Sequence, residues 1–420
     1  MTGSDLLATV YRIVTREEPG ARTRVALGQF PAYAVGTLLA RSLSLLAQLY
    51  VARSLSPDQF GRVSLALVIG MVLTIPMQAA WGTAFVRFAV VRPAGSTPWH
   101  ILRAAIVLTA ASSLVVVLLA LAASPFATSW LGIPLGVYLT GILAAVASAA
   151  WLFAKSSCQG LQAWKRLVLI EVTWSSLILF VPFALRLLGE RFDWRIVLVF
   201  VGAYVLASSP AWRQCLTTPD QPVAPELRRQ WNFGKYLGGA NLVAALPLYG
   251  DRFLVNASAG LPTLGVYQTY ALVSFGVAVF TAALVSRFLF PLLNLAERST
   301  ALRLFRRALP GAAVVFVAGN FGLGYCAIKF VHYPFESATL LIAVVGAFAY
   351  CVTTFLNDLA VTHERGPQIV LATNLLTFAL FFPAAILLLP RWPVAAPFAA
   401  YAIAYPAAAA RTYWAIRALP

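Results

Sequence analysis

Six charged residues stand where an apolar chain has least room for charge. Arg41 lies near the middle of the apolar run from Phe30 to Ala52, and Asp251 and Arg252 lie late in the run from Tyr236 to about Asn256. Arg87 and Arg287 fall at the ends of two further apolar runs, and Glu171 near the start of another. An arginine presents a rigid fork of donors that matches phosphate oxygens, so each arginine is a candidate anion ligand. A carboxylate in apolar surroundings must hold a proton, a cation or an arginine.

Each residue also has a structural reading. Arg41 either faces a polar cavity or pairs with a buried carboxylate or carbonyls. Asp251 either binds a coupling ion or neutralises an arginine of the other half. Asp251 and Arg252 are neighbours, about 100° apart on a helix, and need not pair with each other. Arg252 reads as a second cavity cation or as a headgroup contact. Arg87 and Arg287 would by default snorkel to the headgroups, as would Arg53. They occupy equivalent positions in the two halves, which makes them candidates for an entrance. Glu171 reads as a cavity acid or as a partner for Lys165 or Arg166.

Enzymatic constellations are missing from the sequence. Cys158, Cys215, Cys326 and Cys351 form no CxxC pair, and His100, His332 and His363 are scattered, with no HExxH spacing. No GxxxxGK[ST] loop occurs, so ATP drive by this chain is not expected. No catalytic residue and no metal site are assigned.

The elements that must position these charges are membrane helices. Hydrophobic residues make up 60% of the chain and charged residues 11%, which excludes an ordinary soluble domain. The formal net charge of +17 would suggest nucleic acid in a soluble protein. In a membrane protein it reads instead as basic cytoplasmic loops, and no nucleic-acid partner is expected. Apolar stretches of about 20 residues recur and predict an all-α polytopic protein with about twelve transmembrane helices. Of the 31 basic residues, roughly 22 fall on the side of the N-terminus and roughly 8 on the other, which places both termini in the cytoplasm.

The first two spans form the clearest unit. Phe30 to Ala52 is followed by a polar turn, then by a second span, Val63 to Ala84. In the turn Ser56 can cap the next helix, Pro57 suits its first position and Asp58 its positive end. Pro76 and Pro247 lie inside spans two and seven, where proline bends a helix. The fourth span is expected over Leu131 to Phe153, with Lys155, Lys165 and Arg166 in a basic loop after it. Residues 1–28 read as a cytoplasmic tail, either a short interfacial helix or disordered. Residues 29–213 make an N-terminal six-helix lobe, 214–235 a cytoplasmic linker rich in turn residues, and 236–420 a C-terminal six-helix lobe.

The chain carries family motifs as well. Tyr33-x-x-Gly36-Thr37, then Ala52-Arg53-x-Leu55-Ser56-Pro57-x-x-Phe60-Gly61, resembles the start of Wzx-type polysaccharide and O-antigen flippases. These belong to the multidrug/oligosaccharidyl-lipid/polysaccharide exporter superfamily. Asp251-Arg252-x-x-Val255 followed by Gly265-Val266-Tyr267 is similar to a pattern of the same exporters. Tyr236-x-x-Gly239 and Ala259-Gly260-Leu261-Pro262 leading to Gly265 echo the opening motifs, as a parallel repeat would.

The resemblance implies two six-helix lobes around a central cavity. It implies a flippase that moves an undecaprenyl-pyrophosphate-linked oligosaccharide from the cytoplasmic to the periplasmic leaflet of the bacterial inner membrane by alternating access. The product would serve O-antigen, capsule or exopolysaccharide synthesis. Arg41, Arg252, Arg87 and Arg287 would meet the pyrophosphate, and Asp251 and Glu171 would couple or pair charge. No cofactor is implied beyond a coupling ion, proton or sodium. Implied partners are the lipid-linked oligosaccharide, membrane lipids, and the polysaccharide polymerase and chain-length proteins. Two alternatives stand beside this reading. A polymerase or ligase of the same pathway would need a larger outer loop than Gly189 to Arg195. A multidrug exporter would favour an aromatic, acidic cavity.

Overall fold

The computed structural model describes residues 21–90, 97–161, 163–216, 224–282, 298–361 and 365–418, with side chains from Ala34 onward except at residues 90, 214–216, 224, 236–237, 298–301, 304, 361 and 367. Among these residues the chain is helical throughout, with no strand. Ten helices are long and apolar enough to cross a membrane. The protein is therefore a multi-pass membrane protein, as in lipid only helices or closed barrels satisfy every backbone group. The ten relate simply to the twelve expected spans. Spans seven and eight lie in one run, Pro225–Ala282. That run is interrupted at Gly260, whose φ of 77° breaks the helix. The expected twelfth span, about Val394 to Ile416, is a helix over Ala396–Arg417 and is not among the ten.

The described residues divide into two compact units. One comprises the described residues within 39–265, the other residues 21–38 and the described residues from 266 onward. The first unit begins within α1 (Ala21–Ser54). It continues with α2 (Pro57–Gln78), α3 (Trp81–Val90), α4 (Pro98–Ala122) and α5 (Ser124–Trp130). Then come α6 (Leu135–Gly160), α7 (Trp164–Leu187), α8 (Val197–Leu216) and most of α9 (Ala224–Ala271).

The polar turn before α2 folds as its chemistry dictates. The Ser56 hydroxyl accepts from the Gln59 amide at 3.3 Å, Pro57 opens the helix, and Asp58 bridges to Arg62 at 3.1 Å. The α2 helix packs on α6 through small residues. A Cβ at Gly70 would stand 3.0 Å from the Ala144 methyl, so the backbones come close enough for polar contacts. Thr74 and Ser148 share a buried hydrogen bond there.

The second span is not continuous to Ala84 as expected. It stops at Gln78, and Ala79 and Ala80 adopt left-handed φ of 35° and 64° before α3 begins. Pro76 cannot donate to the carbonyl one turn back, which weakens the helix just before the break. Ser112 of α4 then supplies what the break removes. Its hydroxyl lies 2.6 Å from the Met77 carbonyl and accepts from the Trp81 indole at 3.1 Å.

The second unit holds α10 (Arg298–Val331), α11 (Ser337–Val361), α12 (Gly366–Leu388) and α13 (Ala396–Arg417), with residues 266–282. Its core is aromatic: Tyr267 stacks on Phe398 at 4.7 Å, and Phe275 and Phe381 each lie 4.5 Å from Tyr401. Leu272–Gly276 forms a π-helical turn whose Ser274 carbonyl accepts from Asn320 at 3.3 Å. The Tyr270 hydroxyl accepts from the Glu336 amide at 2.7 Å and donates to the Pro334 carbonyl at 3.1 Å, which ties residue 270 to the start of α11.

Candidate functional site

The two units differ in what they bury. Among the described residues, the buried charged side chains are Lys155, Glu171, Glu226, Asp251 and Arg252, all in the unit of residues 39–265. The described residues of the second unit bury only neutral polar groups such as Thr353, Thr373 and Asn320. Isolated charge in hydrocarbon costs several kcal/mol, about 2.5–3.5 on insertion scales, so this concentration of charge marks the first unit as the place to look.

Two of these charges sit on α6 and α7. Lys155 and Glu171 form a salt bridge, with side chains only 7% and 3% exposed. The ammonium also lies 4.3 Å from the centre of the Trp151 ring, in cation–π contact. This corrects one expectation. Lys155 is not in a loop, because α6 runs on to Gly160 and carries it into the span. Glu171 accordingly has Lys155 as a partner, which the sequence reading did not consider. Trp151, Trp174 and Tyr204 close around the pair, with ring centres 5.1 to 5.3 Å apart. The indole N–H groups of Trp151 and Trp174 are buried without a hydrogen-bond partner. These donors are available to an acceptor that enters the site.

The other three sit on α9, where Glu226 bridges to Arg229 at 3.0 Å. Arg252 and Asp251 pair with each other, one of the readings that their sequence left open. The Arg252 guanidinium reaches both Asp251 oxygens at 2.8 Å, and the Arg252 amide donates to the same carboxylate at 2.7 Å. A long arginine side chain can fold back over the angle that separates the two Cβ atoms. Its Nη1 also donates to the Leu248 carbonyl one turn earlier. Asp251 is fully buried and Arg252 is 8% exposed, so Arg252 is not a headgroup contact.

Arg41 of α1 links these groups. It is half-buried and interacts electrostatically with Lys155, Tyr204 and Tyr249. Tyr249 in turn lies in the field of Asp251 and Arg252. Arg41 makes no hydrogen bond and no salt bridge among the described residues. The neighbourhood thus holds Arg41, Lys155 and Arg252 against Glu171 and Asp251. Two cations are neutralised by short pairs, and the surplus positive charge rests on Arg41. An arginine held in this way presents its donor fork to an incoming anion.

The remaining candidates lie elsewhere. Arg87 is exposed on α3, with its guanidinium 4.8 Å from the centre of the Phe233 ring. Phe233 belongs to the early part of α9, where Trp231 stacks on Trp81 at 5.5 Å and Gly234 lets that ring approach its backbone. Arg287 lies outside the described residues, so its place is not assigned. The sequence reading missed Lys155, Trp151, Trp174 and Tyr204. The signal was present in part: Lys155 follows an apolar run without an intervening glycine or proline.

Comparison with known proteins places this geometry in context. A family model described as polysaccharide biosynthesis protein matches residues 50–335, well over half of the chain. No curated protein matches the chain. Among solved structures, the MATE multidrug transporter DinF-BH aligns with a TM-score of 0.66 at 14% identity, covering 93% of this chain and 95% of the other. The lipid II flippase MurJ, in an inward closed conformation, aligns with a TM-score of 0.61 at 12% identity, covering 93% and 88%. An inward-facing MATE family transporter of the MOP superfamily aligns at 0.63 and 13% identity, covering 90% and 94%. At such identities the likeness is one of fold.

Proposed function

The chain belongs to the polysaccharide biosynthesis protein family, and we propose that it is a flippase for a lipid-linked oligosaccharide. The substrate in this proposal is an undecaprenyl-pyrophosphate-linked oligosaccharide. It would pass from the cytoplasmic to the periplasmic leaflet of a bacterial inner membrane, for O-antigen, capsule or exopolysaccharide synthesis. The observation that carries the proposal is the surplus charge on Arg41, set among two neutralised buried pairs.

A pyrophosphate head is the part of such a lipid that most resists entry into hydrocarbon. Arg41 offers it a bidentate partner where water is scarce and electrostatic attraction is less screened. The unpartnered indole donors of Trp151 and Trp174 lie beside the same cations and suit phosphate or sugar oxygens. The prenyl tail stays in the bilayer, so only the polar head must be accommodated. Alternating access in this proposal would be a rocking of one lobe against the other. Both termini are cytoplasmic in this scheme, as the distribution of basic residues favours. The polymerase and chain-length proteins of the same pathway would take up the product.

Asp251 and Glu171 were the candidates for coupling transport to a proton or sodium gradient, but each is already paired with a cation, so the proposal assigns coupling to neither. A cationic drug is a poorer fit, since it would meet a site with excess positive charge. The test is a direct competition of substrate classes. Purified protein in liposomes is given a fluorescent undecaprenyl-pyrophosphate saccharide or a cationic dye, and movement of each across the bilayer is followed. The proposal expects protein-dependent movement of the lipid-linked sugar. Movement of the dye alone would reject it in favour of a drug exporter.

A further inference from the structure

The first unit carries a second polar feature besides the cluster around Arg41. Helices α7 and α8 leave between them a cavity of about 520 Å³. Such a volume is in the range that holds a small amphipathic ligand. Its floor is made by Ile170, Ala207 and Ala211, all buried, and its rim by Leu169 and Leu206, which are 60% and 61% exposed. The small residues on α8 create the space: where alanine replaces a larger side chain, two helices pack without filling the groove between them. Pro210, which also lines it, withdraws a backbone donor from α8 at this level.

The charge of the groove is confined to one end. Arg166 lies in the first turn of α7 and Arg213 in the last turn of α8, and both line the cavity. The two helices cross the membrane in succession, so the start of one and the end of the other lie at the same surface. Thr173 adds a hydroxyl two turns into the groove from Arg166. The groove is thus apolar along its length and carries two arginines at its mouth.

It is also separate from the cluster around Arg41. On α7 the groove stripe is Arg166, Leu169, Ile170 and Thr173, whereas Glu171 and Trp174 lie roughly 110° further round the helix. On α8 the rim residue Leu206 lies roughly 160° round the helix from Tyr204, and Ala211, on the side of Tyr204, lies about two turns further along. One face of each helix serves the buried ion pair, and another opens outward.

We propose that this groove binds an anionic phospholipid of the surrounding bilayer, with its phosphate at Arg166 and Arg213 and part of an acyl chain along Leu169 and Leu206. The occupant is a bilayer lipid because the rim leucines are exposed on the outward side, away from the cluster assigned to the transported head. The charge complementarity is that of juxtamembrane basic residues for anionic headgroups, about fivefold in affinity per arginine. This inference does not rest on the flippase reading and survives its failure.

The test uses the full chain in detergent and native mass spectrometry with dioleoylphosphatidylglycerol, dioleoylphosphatidylcholine and inorganic phosphate. The proposal expects preferential retention of phosphatidylglycerol. Retention should fall about 25-fold in the R166Q/R213Q double variant. It should fall also in Thr173→Phe, which fills the groove and keeps both arginines, so the outcome does not depend on one variant folding. Arg41→Ala should retain the lipid as the wild type does. Retention unchanged in both groove variants overturns the proposal. Displacement of phosphatidylglycerol by inorganic phosphate, with no effect of Thr173→Phe, identifies a bare anion site and also overturns it. Displacement by an undecaprenyl-pyrophosphate saccharide assigns the groove to the transported lipid instead, and overturns it too.

Discussion

Lys155 and Glu171, on neighbouring helices, form a salt bridge that is almost wholly buried, under the ring of Trp151. Breaking one side of such a pair leaves the other charge stranded, at a typical cost of about 3–5 kcal/mol, whereas replacing both can be nearly neutral. Lys155→Met alone should therefore sharply lower the melting temperature of the purified protein. Lys155→Met combined with Glu171→Leu should recover most of the loss. A double variant as unstable as the sum of the two single variants would show that the bridge contributes no coupling.

Asp251 and Arg252 form the second tethered pair, and its role can be separated from ion coupling. Asp251→Asn should destabilise the protein, and Arg252→Met added to it should restore part of the stability, as expected if the carboxylate serves the guanidinium. In liposomes, the response of Asp251→Asn to an imposed ion gradient should match the wild type. Loss of that response in a stable Asp251→Asn protein would transfer Asp251 to the coupling role.

The glycines of the two echoed motifs meet directly. A Cβ at Gly61 would strike the Leu261 carbonyl and stand 3.3 Å from the Gly265 amide nitrogen, and a Cβ at Gly265 would strike the Pro57 carbonyl. Backbone cannot yield as a side chain does. Gly61→Val and Gly265→Val should each cut the amount of folded protein in the membrane severalfold, as read by detergent-resistant fluorescence of a fused reporter. Wild-type levels for both would mean that α2 and α9 can separate here at little cost.

Ala80 holds a left-handed φ of 64°. An L-residue in that region costs roughly 1–2 kcal/mol, which glycine avoids. Ala80→Gly should keep or raise the melting temperature, while Ala80→Val should lower it. The reverse order would indicate that the break after Gln78 is not held in this conformation.

Much of the helical frame was readable because long apolar runs and capping residues are local signals. Ser56, Pro57 and Asp58 act at the start of α2 as their types predict. The charge pairing was less readable. Whether Lys155 ends a span or lies within one depends on how far α6 continues, and Glu171 then stabilises it from another helix. The break at Ala79 and Ala80 depends on Ser112, more than thirty residues away in sequence, capping the Met77 carbonyl. The aromatic enclosure of Trp151, Trp174 and Tyr204 is assembled from three helices and has no local pattern. Arg41 was visible as a charge out of place. Its surplus character emerged only when Lys155 and Arg252 were found to be paired.

The most direct measurement concerns that surplus charge. Arg41→Ala and Arg41→Lys, purified and matched for melting temperature, are compared with wild type for binding and flipping of a fluorescent undecaprenyl-pyrophosphate saccharide in liposomes. A charged hydrogen-bonding contact of about 1.5–3 kcal/mol predicts that Arg41→Ala binds about 10–150-fold more weakly. Arg41→Lys should fall between, since lysine keeps the charge but loses the fork. Binding and flipping by Arg41→Ala equal to the wild type, molecule for molecule, would contradict the assignment of Arg41 to the pyrophosphate.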